Sequence, residues 1–158
     1  MNMPGPKRQA RQYDEESSDD SREVRPEVKC VSLFFDDVRT EAGGKMTMIG
    51  HYPQDTCLLA DHTRLDRLSV YTRLSWGWKI RPKRLFLQLK LPGREVEQQP
   101  IPFAQPEQPP FSDVDKFVAQ SVVHLRFSPM RPGDMIQVWV RFDDFKLPTG
   151  HLIFKSTV

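Results

Sequence analysis

The chain has 158 residues with a formal charge of +2, two cysteines, 14 prolines against eight glycines, and 28% charged side chains. That leaves room for one core of about 130 residues, enough to bury roughly two-thirds of the unfolded surface without metals or disulfides. No apolar run approaches the length of a membrane-spanning helix, no window carries a long 3.6-residue apolar period, and so small a net charge does not by itself announce a nucleic-acid binder.

Residues 1–27 hold five Lys or Arg against seven Asp or Glu, so the arm carries −2 and the remainder +4. With almost no aliphatic side chains before Val24, this stretch cannot offset the entropy of ordering and is predicted to be a disordered arm, with Tyr13 its single aromatic residue. Its first twenty residues contain no apolar stretch of the kind a signal peptide needs, which points to a reducing cytosol.

The domain over 28–158 opens on a hairpin, Lys29 to His51, reversing at Gly43-Gly44. Two consecutive residues at positive φ are what a two-residue turn needs, and glycine takes that conformation without steric cost. A two-residue loop would set Val38 opposite Ile49, Arg39 opposite Met48, Thr40 opposite Thr47 and Asp36 opposite His51. Cys30 and Cys57 fall opposite each other in the same register, as a cross-strand disulfide requires. Pro53 intervenes and cannot donate to a ladder, so both thiols are expected to be free.

His51 to Thr63 reads as a crossing loop with one buried edge. Leu65 to Trp76 alternates, with Leu68, Val70, Thr72, Leu74 and Trp76 inward and Ser69, Tyr71, Arg73 and Ser75 outward. Arg84 to Leu91 alternates again, and Glu95 to Gln99 is a short partner strand across Pro92-Gly93. Five prolines within Pro100 to Pro110 predict an extended surface linker, with a ligand for an aromatic groove as the sharper alternative. Ser112 to Phe117 suggests one helical turn, Val118 to Phe127 a strand, and Ile136 to Phe142 another. A turn around Lys146 to Gly150 then leads into a last strand from His151. Seven or eight strands at this spacing make an all-β, antiparallel β-sandwich.

Within the hairpin, Asp36-Asp37-Val38-Arg39-Thr40-Glu41 is followed by Gly44-Lys45 and Ile49-Gly50. This phrase, with the closing stretch Pro132-Gly133-Asp134 through Asp143-Asp144 to Leu152-Ile153, resembles a family of short phage and bacterial proteins of unknown function. The resemblance covers about half the chain, because the proline-rich middle and the arm depart from it. It implies a β-sandwich and a phage or prokaryotic origin, with a cytoplasmic location, the host cytosol or the virion if phage-encoded, and it brings no catalytic residue.

Asp36, Asp37, Asp143 and Asp144 offer carboxylates of the type that hold calcium, but neighbours on a strand point to opposite faces, so edge charges or ion pairs with Arg39 and Arg141 are the ordinary reading. Cys30, His51, Cys57 and His62 supply zinc-ligand types without zinc-site spacing. No nucleophile elbow, phosphate loop or His-Glu-x-x-His pair is present, so neither an enzyme, a cofactor nor a metal is expected. The remaining signal is Arg73 to Arg84, where Arg73, Lys79, Arg81, Lys83 and Arg84 interleave with Trp76 and Trp78. Cations with exposed rings suit single-stranded nucleic acid, although Trp76 continues an inward alternation and edge cations also guard against aggregation. The expected function is a non-enzymatic protein-interaction module, a virion component or a host-directed binder. Its candidate anchors are Tyr71, Trp78 and Trp139, and its partner is a protein or a second copy. Nucleic acid on 73–84 is the alternative, and no membrane is involved.

Overall fold

A computed structural model describes residues 27–59, 67–94, 96–126 and 130–157. The predicted arm, apart from Glu27, and His62 lie outside the described residues. Among the described residues nine strands form two sheets and there is no α-helix. They are β1 Val28–Thr40, β2 Met46–His51, β3 Thr56–Leu59, β4 Arg67–Gly77, β5 Leu85–Lys90, β6 Glu97–Pro100, β7 Lys116–Arg126, β8 Met135–Phe142 and β9 Phe145–Ser156. One sheet runs in the order β2-β1-β4-β7 and the other β3-β9-β8-β5-β6. The alternation seen in the sequence supplies the core between them: Leu68, Val70, Leu74 and Trp76 from β4 meet Leu85, Leu87 and Leu89 from β5 and Ile136, Val138, Val140 and Phe142 from β8. The all-β sandwich architecture is therefore as expected.

Four local readings need correction. The hairpin pairs Val38 with Met48, Arg39 with Thr47 and Thr40 with Met46, one residue away from the expected register. Both glycines do take positive φ (82° and 76°), but a 3-10 turn begins at Ala42 and the Glu41 N–H bonds the Lys45 carbonyl at 2.7 Å, so the loop takes five residues instead of two. A shift of one exchanges the faces of the whole second strand. The crossing loop after His51 contains β3, which adds parallel to β9, so the sandwich is not wholly antiparallel. The predicted helical turn after Ser112 is a bare turn closed by the Val114 N–H on the Phe111 carbonyl at 3.2 Å.

The fourth correction concerns Lys146 to Gly150, which lies inside β9; the chain reverses earlier, at Asp143-Asp144, where Asp143 takes φ 51°. Pro148 and Gly150 mark a bulge opposite Val138 and Trp139, with Thr149 as the extra residue. Thr149 is thereby turned inward. Its Oγ1 lies 2.7 Å from Ser32 Oγ, which lies 2.7 Å from Thr72 Oγ1, so three buried hydroxyls tie the two sheets together. Gly150 sits against β1 so closely that an added Cβ would stand 2.8 Å from the Ser32 carbonyl oxygen. Gly150→Ala is expected to destabilise by about 1–3 kcal/mol by forcing the sheets apart, measurable as a lower denaturation midpoint with unchanged slope.

Candidate interaction surface

The eight residues singled out in the sequence do not share one surface. Tyr71 is buried, at 7% exposure, in a second apolar cluster with Phe35 and Val38 on the outer face of the four-stranded sheet, packed by Leu33, Met46 and Val122. It is not the exposed anchor expected. Trp139 lies on the other sheet, half-buried in β8 between Gln88 and Pro148 in register, with Lys146 Nζ 4.2 Å from its ring centroid. Arg73 is exposed on β4, opposite Val31 and Gln120.

The rest fall on the connection after β4, where they hold the chain together. Trp76 is core, as expected, and Trp78 is half-buried with its ring 5.6 Å from Phe117. Gln105 bridges the two: its Oε1 accepts from Trp76 Nε1 at 3.1 Å and its Nε2 donates to the Trp78 carbonyl at 2.7 Å. Arg81 donates to the carbonyls of Gln105, Pro106 and Glu107 at 3.2, 2.6 and 2.6 Å. A proline-rich segment cannot form a full ladder, so its carbonyls need donors from elsewhere, and this guanidinium supplies them. The stretch over 100–110 is thus a strap pinned across the end of the sandwich, with Ile101 buried and Phe103 packed on the core, in place of the plain linker expected. The backbone N–H groups of Lys83 and Arg84 donate to Asp143 Oδ1 at 2.8 and 2.9 Å, and the Arg84 guanidinium stands 3.6 Å from Asp144. Lys79 and the Lys83 side chain remain exposed.

The carboxylates divide as the strand geometry requires. Asp36 accepts from the Tyr52 hydroxyl, while Asp37 takes Arg39 Nε at 2.5 Å and Arg67 at 2.7 Å. Asp143 caps the backbone as above, and Arg141 Nε reaches its carbonyl at 3.1 Å and not its carboxylate. Among the described residues no three His, Cys, Asp or Glu side chains gather as metal ligands. Cys30 and Cys57 are both free, and burial pushes both thiols up, away from the nucleophilic thiolate. Burial also raises the Tyr52 phenol, helped by its bond to Asp36. No helix among the described residues is long and apolar enough to cross a membrane.

Asp37 titrates in a way that can be tested. The hydrogen bond from Arg39 holds its carboxyl below the usual value of 3.8, against the opposing effect of burial and aided by the charge of Arg67. A pKa lowered by folding gives stability that is complete above about pH 4 and is lost as the pH falls through the lowered folded value. Asp37→Asn should therefore melt below the wild type at pH 7, and the gap between their melting temperatures should close as the pH drops from 4 towards 2.

The feature not anticipated from sequence is the edge formed by β7. Among the described residues it pairs only with β4, over eleven unbroken positions from Arg67 opposite Arg126 to Gly77 opposite Lys116. One step further the Trp78 N–H donates to the Asp115 carbonyl at 2.8 Å. Because bonding alternates along an antiparallel pair, the odd-numbered residues of β7 bond to β4. The N–H and C=O groups of Lys116, Val118, Gln120, Val122, His124 and Arg126 then face the free side. The side chains of these same six lie on the outer face of the sheet, in rows such as His124 beside Ser69 (Nδ1 to Oγ, 2.9 Å) and Val122 beside Tyr71.

Among the described residues the other three edges are short or interrupted, and this one is long and continuous. β2 has six residues and contains Gly50 at φ 67°, where the pairing between Phe35–His51 and Asp37–Ile49 skips a step. β3 has four residues, and β6 has four and ends on Pro100. β7 has no proline, no bulge and no inward charge, and its inward row is Phe117, Ala119, Ser121, Val123 and Leu125. Proteins ordinarily protect such an edge against pairing with other chains. The alternation of this stretch is legible in the sequence, but its position at the end of the sheet is not.

No family model matches the chain, and comparison with curated proteins finds no similar sequence.

Proposed function

We propose that this chain is a non-enzymatic protein-interaction module that receives an extended segment of a partner protein as a fifth strand beside β7. The observation carrying this is the eleven-residue edge with six N–H and C=O pairs turned outward and, among the described residues, no proline, bulge or inward-pointing charge to interrupt it. Strand addition draws affinity from main-chain hydrogen bonds and specificity from alternate side chains. Val118, 40% exposed, and Val122 give the incoming strand apolar contacts on the outer face, next to the cluster around Tyr71. In the phage or prokaryotic setting implied by the hairpin resemblance, such a module would act as a virion component or a host-directed binder.

The nucleic-acid alternative on 73–84 has less to work with, since one tryptophan is core, the other packs edge-on with Phe117 and Arg81 is bound to the strap. The test is selection of displayed random peptides on the full chain. Selected peptides should slow amide exchange at Val118, Gln120, Val122 and His124, and should lose binding to Gln120→Pro, which removes one outward N–H. Selected peptides that bind Gln120→Pro as well as the wild type, or that leave those amides unprotected, would overturn the proposal.

A further inference from the structure

We infer that the β7 edge selects an extended segment of another protein that carries carboxylates at both ends and uncharged, β-prone side chains between, in preference to a second copy of this chain. This rests on the strand-addition reading and adds the chemistry of the partner. The outward row of β7 runs Lys116, Val118, Gln120, Val122, His124, Arg126: cations at both ends, two valines within, and no acidic residue in the strand. A strand laid beside it places its own outer side chains about 5 Å from these, within reach of direct pairing.

The two ends differ. Arg126 stands directly opposite Arg67, whose guanidinium already holds Asp37 at 2.7 Å. Arg126 itself has no ion pair or hydrogen bond among the described residues, so two like charges face each other across the ladder, while the carboxylate of Asp37 is held from the β1 side of Arg67. A carboxylate arriving beside Arg126 relieves that repulsion as well as forming a pair of its own. Lys116 faces Gly77, so a carboxylate there gains only an exposed, screened pair.

The same charges disfavour self-pairing. If two copies of β7 paired antiparallel along their whole length, centred on Ser121, Lys116 of each would lie opposite Arg126 of the other, setting like charges together at both ends. Sliding the register to avoid this forfeits paired residues.

Three synthetic eleven-residue peptides with one shared interior of alternating Thr and Val, ending in Glu, Gln or Lys, would be titrated onto the full chain. The expected order of affinity is Glu, then Gln, then Lys, with about tenfold between the first two at low salt, and the gap closing in about 1 M salt. Arg126→Glu should reverse the preference more strongly than Lys116→Glu. Three peptides that bind equally and protect the β7 amides would overturn the charge selection and leave strand addition standing. Three peptides that bind without protecting those amides, or none that bind at all, would overturn strand addition itself. A concentration-dependent dimer in sedimentation that is lost in Gln120→Pro would assign the edge to a second copy and overturn the acidic partner.

Discussion

Trp76→Ala is expected to cost about 3–5 kcal/mol, the usual range for removing a fully buried large aromatic. The indole is 1% exposed, and its ring lies 6.0 Å from Phe103, 5.0 Å from Phe117 and 5.4 Å from Phe142, measured between centroids. Those three phenylalanines come from the strap, from β7 and from β8, so one side chain joins both sheets to the segment that crosses their end. Removing it opens a cavity and also leaves Gln105 Oε1 without its donor. The Gln105 side chain and the three Arg81 hydrogen bonds hold the same part of the strap. Amide exchange at 103–107 should therefore quicken in Trp76→Ala more than elsewhere in the domain. Trp76→Phe keeps most of the ring contact but has no N–H, and should recover all but about 1–3 kcal/mol of the loss, the remainder measuring the buried hydrogen bond and the unfilled volume. A loss below about 1 kcal/mol for the alanine variant would mean that the strap and the core are not coupled through this residue.

What could be read from the chain follows the range of the interactions involved. Alternation is local, so the inward rows of β4, β5 and β8 were plain, and so was the inward placement of Trp76. The reversal at Gly43-Gly44 was also plain, but its register depended on whether Ala42 began a 3-10 turn, which neither glycine dictates. Pro148 and Gly150 suggested a turn because both residues favour turns; a bulge uses the same chemistry, and only the inward pull on Thr149 from Ser32 distinguishes them. β3 leaves no readable signal in the sequence because four residues carry too little pattern, and its partner, β9, lies about 100 residues away along the chain.

The site was harder to read for the same reason. Alternation alone puts Tyr71 on a wet face, yet Leu33, Phe35, Val38, Met46 and Val122 converge from three other strands to cover it. The cations of 79–84 read as a patch because sequence shows charge and not what it bonds to. Arg81 instead satisfies carbonyls that a proline-rich strap cannot pair for itself. The edge at β7 is a property of strand order, and strand order is decided by which faces meet across the whole sandwich.

That order makes a prediction about two adjacent residues. Ser121→Pro should destabilise by about 3 kcal/mol, lowering the melting temperature on the order of 10 °C, whereas Gln120→Pro should cost less than about 1 kcal/mol. Residue 121 lies opposite Thr72, which is fully buried, and its N–H belongs to the set directed into the ladder with β4. Proline there removes a donor and strands a carbonyl that water cannot reach. Residue 120 turns its N–H to the free side, where proline takes nothing from the ladder and only imposes its own φ on an extended strand. The two variants differ by one position and carry the same substituted ring, so composition and unfolded-state effects largely cancel in their difference. A large gap in the stated direction fixes the phase of the ladder and identifies Gln120→Pro as a folded variant whose edge can no longer accept a full strand. Equal losses would mean that both N–H groups are bonded in the free protein, which would leave no open edge for a partner to use.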